Sequence, residues 1–149
     1  MIALLQRVTG ASVTVGDVAV GRIGPGVLAL IGVQRGDTVA QATRLLERIL
    51  GYRMFEDDQG RMNLSLQQVA GGLLLVPQFT LAADTRKGMR ASFAPAADSD
   101  AGQSLFESLL NLARANHPQV ASGRFGAHMQ VSLVNEGPVT FWLEVPPPV

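Results

Sequence analysis

Two short segments of the chain hold the residues whose types and spacing could do chemistry. The first is VPQFTLAADTRKGMR, residues 76–90. On an extended strand, side chains two apart share a face, so Gln78 and Thr80 present two polar groups together, with Phe79 and Leu81 opposite. Thr80 also carries a hydroxyl, but a hydroxyl becomes a nucleophile only beside a base, and none adjoins it in the sequence. The plain alternative is an ordinary strand threonine with a glutamine at the strand end. Arg86, Lys87 and Arg90 follow in one polar loop, where they suit phosphate contact or form a solvated charge run.

The second segment is NEGPVT, residues 135–140, inside the strongest β signal of the chain, VSLVNEGPVTFWLEV. Proline cannot donate to a sheet ladder and sits badly in a central strand. Gly137 permits a positive φ, and an X-Pro bond can be cis at modest cost. The segment reads either as a plain turn or as a rigid element whose carbonyls gauge a small ligand.

Other catalytic machinery is missing from the sequence. The only histidines are His117, read as a helix-end charge, and His128, read as a surface imidazole at a strand start. Glu56, Asp57 and Asp58 read as a solvated turn. There is no H-E-x-x-H, P-loop or G-x-S-x-G pattern. No cysteine is present, which excludes disulfides and thiolate metal sites and suits a cytoplasmic location; no cluster of other ligands appears, so no metal site is expected, and no cofactor is either. Acidic and basic residues balance at 12 each, so binding to nucleic acid would have to use a local patch. The apolar runs are too short to span a bilayer, so no membrane partner is expected.

The elements that must position these residues follow from the hydrophobic pattern. With 149 residues, 47% hydrophobic, the chain suits one domain, residues 1–145, followed by a disordered proline tail, 146–149. Residues 2–33 alternate in short groups broken by glycines, a β-meander, with 27–33 apolar throughout as in a strand buried on both faces. A helix is predicted from about Val39 to Gly51, capped by Asp37 or Thr38, and a second from Ser99 or Asp100 to about Asn116. YRMFED, LLLVPQFTLAAD, VASGRFG, HMQVSLVN and VTFWLEV read as strands. LSLQQVAGG is ambiguous, and TRKGMRASFAPAADSD is a long loop. Many strands, two main helices and no alternating βαβ rhythm predict an α+β fold with a mainly antiparallel, barrel-like sheet.

End to end, the chain resembles the D-aminoacyl-tRNA (D-tyrosyl-tRNA) deacylases. The signatures of that family are S-Q-F-T-L and N-x-G-P-V-T, and here PQFTL stands at 77–81 and NEGPVT at 135–140. MIALLQRVTGASV, LGYRMF, MNLS and GRFGAHMQVSLVNEGPVTFWLEV extend the likeness. The resemblance implies a homodimer with two active sites at the subunit interface. A cis Gly137-Pro138 would reach into the partner's pocket as the tip between two strands, supported by Arg7 and Asn135. Its carbonyls would exclude L-amino acid side chains and admit D-aminoacyl and glycyl groups. Gln78, Phe79 and Thr80 would form the catalytic pocket for hydrolysis of the aminoacyl-tRNA ester, with the substrate's own ribose hydroxyl assisting. Arg86, Lys87 and Arg90 would meet tRNA phosphates. Pro77 departs from the family serine, removing a hydroxyl and an N–H. A sister group carries P-Q-A-T-L, a trans Gly-Pro and a preference for other mischarged tRNAs; Phe79 sides with the main group. Two rivals stand beside the editing enzyme: an RNA-binding module without turnover, and a hydrolase of small D-amino acid esters.

Overall fold

The computed structural model describes residues 1–149. Three strands open the chain: β1 (Ile2–Val15), β2 (Val18–Ile23) and β3 (Gly26–Gly32). β1 is long enough to pair with β3 through residues 2–8 and with β2 through residues 11–15, both antiparallel. Its other edge pairs along nearly its whole length with the last strand, β8 (Gln130–Glu144). Helix α1 (Val39–Gly51) follows β3. Thr38 caps it in a reciprocal box with Gln41, whose Oε1 accepts from the Thr38 N–H at 2.8 Å. The hairpin of β4 (Arg53–Glu56) and β5 (Met62–Ser65) leads into a one-turn helix α2 (Leu66–Val69), which settles the ambiguous LSLQQV stretch.

β6 (Gly72–Pro77) lies parallel to β3, and β7 (Val120–Ser122) parallel to β6. Helix α3 (Ser99–Asn116) links β6 to β7, and Asp98 caps it by accepting from Ala101 N at 2.9 Å. The chain therefore contains two parallel crossovers, β3–α1–β6 and β6–α3–β7, where no βαβ rhythm was expected. The rhythm is hidden because a hairpin interrupts the first crossover and a long loop the second. The sheet still closes as a barrel-like α+β fold: a Cβ on Gly21 of β2 would lie 2.5 Å from Ser122 O of β7, so the two ends nearly touch.

The apolar run of β3 is buried on both faces, as its composition predicts. Val27, Ala29 and Ile31 face α1 and α3 together with Leu73 and Leu75 of β6. Leu28 with Leu74 and Val76 faces the barrel interior. His117 stands at the end of α3, as its sequence position predicts, but it is buried. It is 5% exposed, and its Nε2 lies 2.6 Å from Gly71 O, tying the end of α3 to the start of β6.

Three expected strand readings need correction. QFTLAAD does not continue β6. Pro77 has no N–H for the ladder, Gln78 N makes a last bond to Ile31 O at 2.7 Å, and Phe79–Ala82 coil into a 3₁₀ turn. VASGRFG is strand only over Val120–Ser122. Residues 130–144 are one strand, not two strands joined at a tip: both halves pair with β1, and Gly137-Pro138 belongs to a bulge within it.

The β3–β6 crossover sets where Gln78 emerges, and it relies on one close backbone approach. A Cβ on Gly26 would lie 1.9 Å from Gly72 O and 2.6 Å from Gly72 N. Gly26→Ala is therefore expected to destabilise the fold by about 3 kcal/mol, read as a lowered urea midpoint. An unchanged midpoint would mean that the strands can separate there at little cost.

Candidate active site

A cavity of about 510 Å³ opens at the carboxyl ends of β3 and β6, under the first turn of α3. Its walls are mainly apolar, with Ile31, Val76, Phe106, Phe125 and Met129 among them. Gln78, Asp98, Ser99 and His128 supply the polar positions around it. Strand ends converge here because β6 stops at Pro77 while the chain after β7 swings away from it. Gly123 makes the last bond to β6, its N–H donating to Leu75 O at 2.8 Å, and packs beside the Met129 side chain.

Of the three residues of the first segment, Gln78 and Phe79 line the cavity and Thr80 does not. The two polar side chains still meet, though by way of the 3₁₀ turn and not by strand alternation. Gln78 Nε2 donates to Thr80 Oγ1 at 2.5 Å, which leaves the Thr80 hydroxyl proton free to point outward. Phe79 is 59% exposed at the mouth. His128, Asp98, Phe125 and Met129 were missed as site residues. The stretch GRFGAHM, which carries part of the family likeness, was the available signal for Phe125, His128 and Met129.

The second segment forms a separate cluster around β1. Between the pairs Gln6↔Thr140 and Val8↔Asn135, β1 advances two residues while β8 advances five. Arg7 alone therefore faces residues 136–139, which are forced out as a bulge. The Gly137-Pro138 peptide bond is cis, and both residues are exposed. Gly137 has φ +136°, and a Cβ there would meet Val139 Cγ2 at 2.6 Å, Val139 N at 2.9 Å and Arg7 Nη2 at 3.3 Å. Only glycine fits. Arg7 is 8% exposed; its Nε donates to Glu136 O at 3.1 Å and its Nη1 to Met54 O at 3.0 Å. Asn135 closes the base of the bulge. Its Oδ1 accepts from Val139 N at 3.0 Å and its Nδ2 donates to Thr140 Oγ1 at 2.9 Å. None of Arg7, Asn135, Gly137 and Pro138 lines the cavity of its own chain.

The three cations of the loop after the 3₁₀ turn are not equivalent. Arg86 forks onto Asp84, Nε to Oδ1 at 2.9 Å and Nη2 to Oδ2 at 2.7 Å. Those hydrogen bonds hold the Asp84 carboxyl well below the usual carboxylate range and raise Arg86 above its ordinary value. The stabilisation from a depressed carboxylate is fully present above its unfolded value, 3.8, and is lost as pH falls from there through the lower folded value. Near neutrality the pair stays ionised, so the charge of Arg86 is already matched. Lys87 and Arg90 take part in none of the ion pairs of the structure, which are Met1–Asp37, Arg44–Glu47 and Arg86–Asp84. No group of three or more His, Asp or Glu side chains comes together anywhere in the fold.

Asn135 gives a test of how the bulge is held. Asn135→Ala strands the Val139 N–H and is expected to cost about 2 kcal/mol in chemical denaturation. Asn135→Asp keeps an acceptor for that N–H and for the Thr140 hydroxyl, and should cost clearly less. Equal losses would show that the side chain packs there without bonding.

Comparison with known proteins bears on both clusters. The family described as D-Tyr-tRNA(Tyr) deacylase matches residues 4–144. A D-aminoacyl-tRNA deacylase of Thioalkalivibrio sulfidiphilus is 74% identical over 148 residues, covering 99% of each chain. One from Alkalilimnicola ehrlichii is 66% identical over 147 residues, covering 99% of this chain and 98% of its own. Among solved structures, one titled c-Myc DNA Unwinding Element Binding Protein superposes with a TM-score of 0.94 at 37% identity, over 98% of this chain and 99% of that one. Another, titled as a probable eukaryotic D-amino acid tRNA deacylase, shares the fold with a TM-score of 0.80 at 20% identity, over 97% and 98% of the two chains. With a match running from β1 to the end of β8, through the cavity mouth and the bulge alike, the chain belongs to the D-Tyr-tRNA(Tyr) deacylase family.

Proposed function

We propose that this protein is an editing enzyme that hydrolyses the ester joining a D-amino acid to the terminal adenosine of tRNA. The observation that carries the reading is a pairing of features within a chain that matches a deacylase family over residues 4–144. A cavity has Gln78 and Phe79 at its mouth, and an exposed bulge at Gly137-Pro138 is locked by Arg7 and Asn135. The cavity takes the terminal nucleoside against its apolar walls. Gln78 and Thr80 hold the ester, with the Thr80 hydroxyl as donor. The Phe79 and Thr80 N–H groups, which precede the turn's first donor at Leu81, face the developing oxyanion. An aminoacyl ester is already activated, so positioning supplies most of what the reaction needs, and the substrate's ribose hydroxyl assists the attacking water.

The bulge acts on a second copy. In a homodimer, Gly137-Pro138 of one protomer reaches the cavity mouth of the other, where its carbonyls leave no room for an L side chain. A D-aminoacyl group turns its side chain away, and a glycyl group has none, so both are admitted. Val134 and Trp142 flank the bulge along β8, 61% and 51% exposed, and provide apolar surface for the partner. Pro77 gives the mouth a ring in place of a hydroxyl and tunes which D-amino acids are preferred. No helix is long and apolar enough to cross a membrane; with tRNA as substrate, a cytoplasmic location follows.

The deciding assay offers the purified protein matched D-, L- and glycyl-tRNA. The D- and glycyl esters should be cleaved and the L-ester spared. Gly137→Ala, which cannot keep the bulge, should lose D-ester hydrolysis by about 100-fold, equivalent to roughly 2.7 kcal/mol. If that variant turns over as before, the bulge does not shape the site. Contact with phosphate has its own test. Asp84→Asn releases Arg86, and tRNA affinity should then fall more steeply with salt, the log–log slope growing by roughly 0.7–0.9. An unchanged slope would remove Arg86 from the RNA-binding surface.

A further inference from the structure

Phe79 and Phe93 form an aromatic pair, ring centroids 5.3 Å apart and planes at 47°. Both rings remain open to solvent, 59% and 46% exposed, although rings of this size ordinarily bury most of their area. Phe79 lines the cavity and Phe93 does not. The pair therefore forms a ledge running outward from the cavity mouth. Phe93 directly follows Ser92, which exchanges both backbone hydrogen bonds with Asp84, at 2.7 and 2.9 Å. That exchange pinches residues 85–91 into a narrow excursion whose base adjoins the ledge. Lys87 and Arg90 lie on the excursion with their charges unmatched by any acidic side chain. Arg90 is three residues from Phe93, at most about 11 Å along the chain. Exposed rings followed by free cations are the alternation by which proteins hold single-stranded nucleic acid, since every base has a face to stack and every step a phosphate.

We propose that the Phe79–Phe93 ledge stacks the unpaired nucleotide that precedes the terminal adenosine of the tRNA 3′ strand, and that Lys87 and Arg90 take the adjoining phosphates. The inference rests on the deacylase reading above and deepens it by naming the part of the RNA that the mouth holds. With the esterified nucleoside in the cavity, the strand must leave past Phe79, and Phe93 is the next apolar surface on its way.

The test uses a short acceptor-stem hairpin with a free 3′ strand and 2-aminopurine at the penultimate position. It carries no ester, so the readout does not depend on catalysis. Binding to the wild-type protein should quench the 2-aminopurine fluorescence. Phe93→Ala should abolish the quench and weaken binding about tenfold, and Phe93→Tyr should retain both. With charged substrates, Phe93→Ala should raise KM for D-aminoacyl-tRNA with kcat unchanged, and the loss should not extend to D-aminoacyl-adenosine, which lacks the preceding nucleotide. No quench with the wild-type protein, or equal loss on both substrates, overturns the proposal. So does dissociation of a dimer by Phe93→Ala in sedimentation, which would assign the rings to contact between copies. A quench that depends on Phe93 in a protein that cleaves no D-ester would instead sink the deacylase reading and leave the stacking ledge standing.

Discussion

One buried cation fixes the bulge on which the proposed discrimination between substrates depends. Arg7 lies in the middle of β1, 8% exposed, with Nε on Glu136 O and Nη1 on Met54 O. A charge removed from water needs compensating dipoles, and here backbone carbonyls supply them. The two carbonyls belong to segments far apart in sequence, the bulge of β8 and the β4 hairpin. The planar guanidinium can serve both at once because its donors point in different directions, which the ammonium of lysine cannot match. The bulge is thus held from within the core by Arg7 and braced at its base by Asn135.

β1 is the spine on which this depends. It pairs with β2 and β3 on one edge and β8 on the other. Its start is anchored by the Met1 ammonium, which donates to Asp37 Oδ1 at 2.9 Å and to Gln34 Oε1 at 3.1 Å, in a pair with no exposed side-chain surface. The cavity lies elsewhere, at the carboxyl ends of the parallel strands β3 and β6 and beside the first turn of α3, the general position for ligands in sheets with parallel crossovers. Two regions are therefore built by different means. The cavity is made by strands that end, and the bulge by a strand that continues past three extra residues.

Both regions rely on backbone conformation more than on reactive side chains. Gly137 is required by its φ of +136°, and Pro77, which has no N–H to give, leaves the ladder unbonded where β6 ends. Such features suit an enzyme whose reaction needs orientation and discrimination more than acid–base power. They also explain why a search for catalytic side-chain patterns finds so little in this chain.

The local elements were legible because they depend on short-range patterns. Both long helices, a cap at Asp37 or Thr38 and the doubly buried β3 follow from periodicity and capping residues; the expected meander does not form, because β1 lies between β2 and β3, which do not pair with each other. The signatures at 77–81 and 135–140 were legible as motifs for the same reason. What they become in space was not. Gln78 and Thr80 meet through a 3₁₀ turn because Pro77 ends the ladder with β7, and the proline's neighbours across the sheet come from residues over forty positions away. Gly137-Pro138 is a bulge and not a hairpin tip because β1 offers one long partner edge to both halves of β8. The pairing of Arg86 with Asp84, and of Phe79 with Phe93, depends on a loop closing at Ser92. Sequence by itself determines the two long helices, the apolar strands of the core and the positions, such as Gly137-Pro138, where ordinary strand backbone is excluded. Only the tertiary structure decides which of them face one another, because strand register and loop closure are set by the sum of contacts across the sheet and by no single segment.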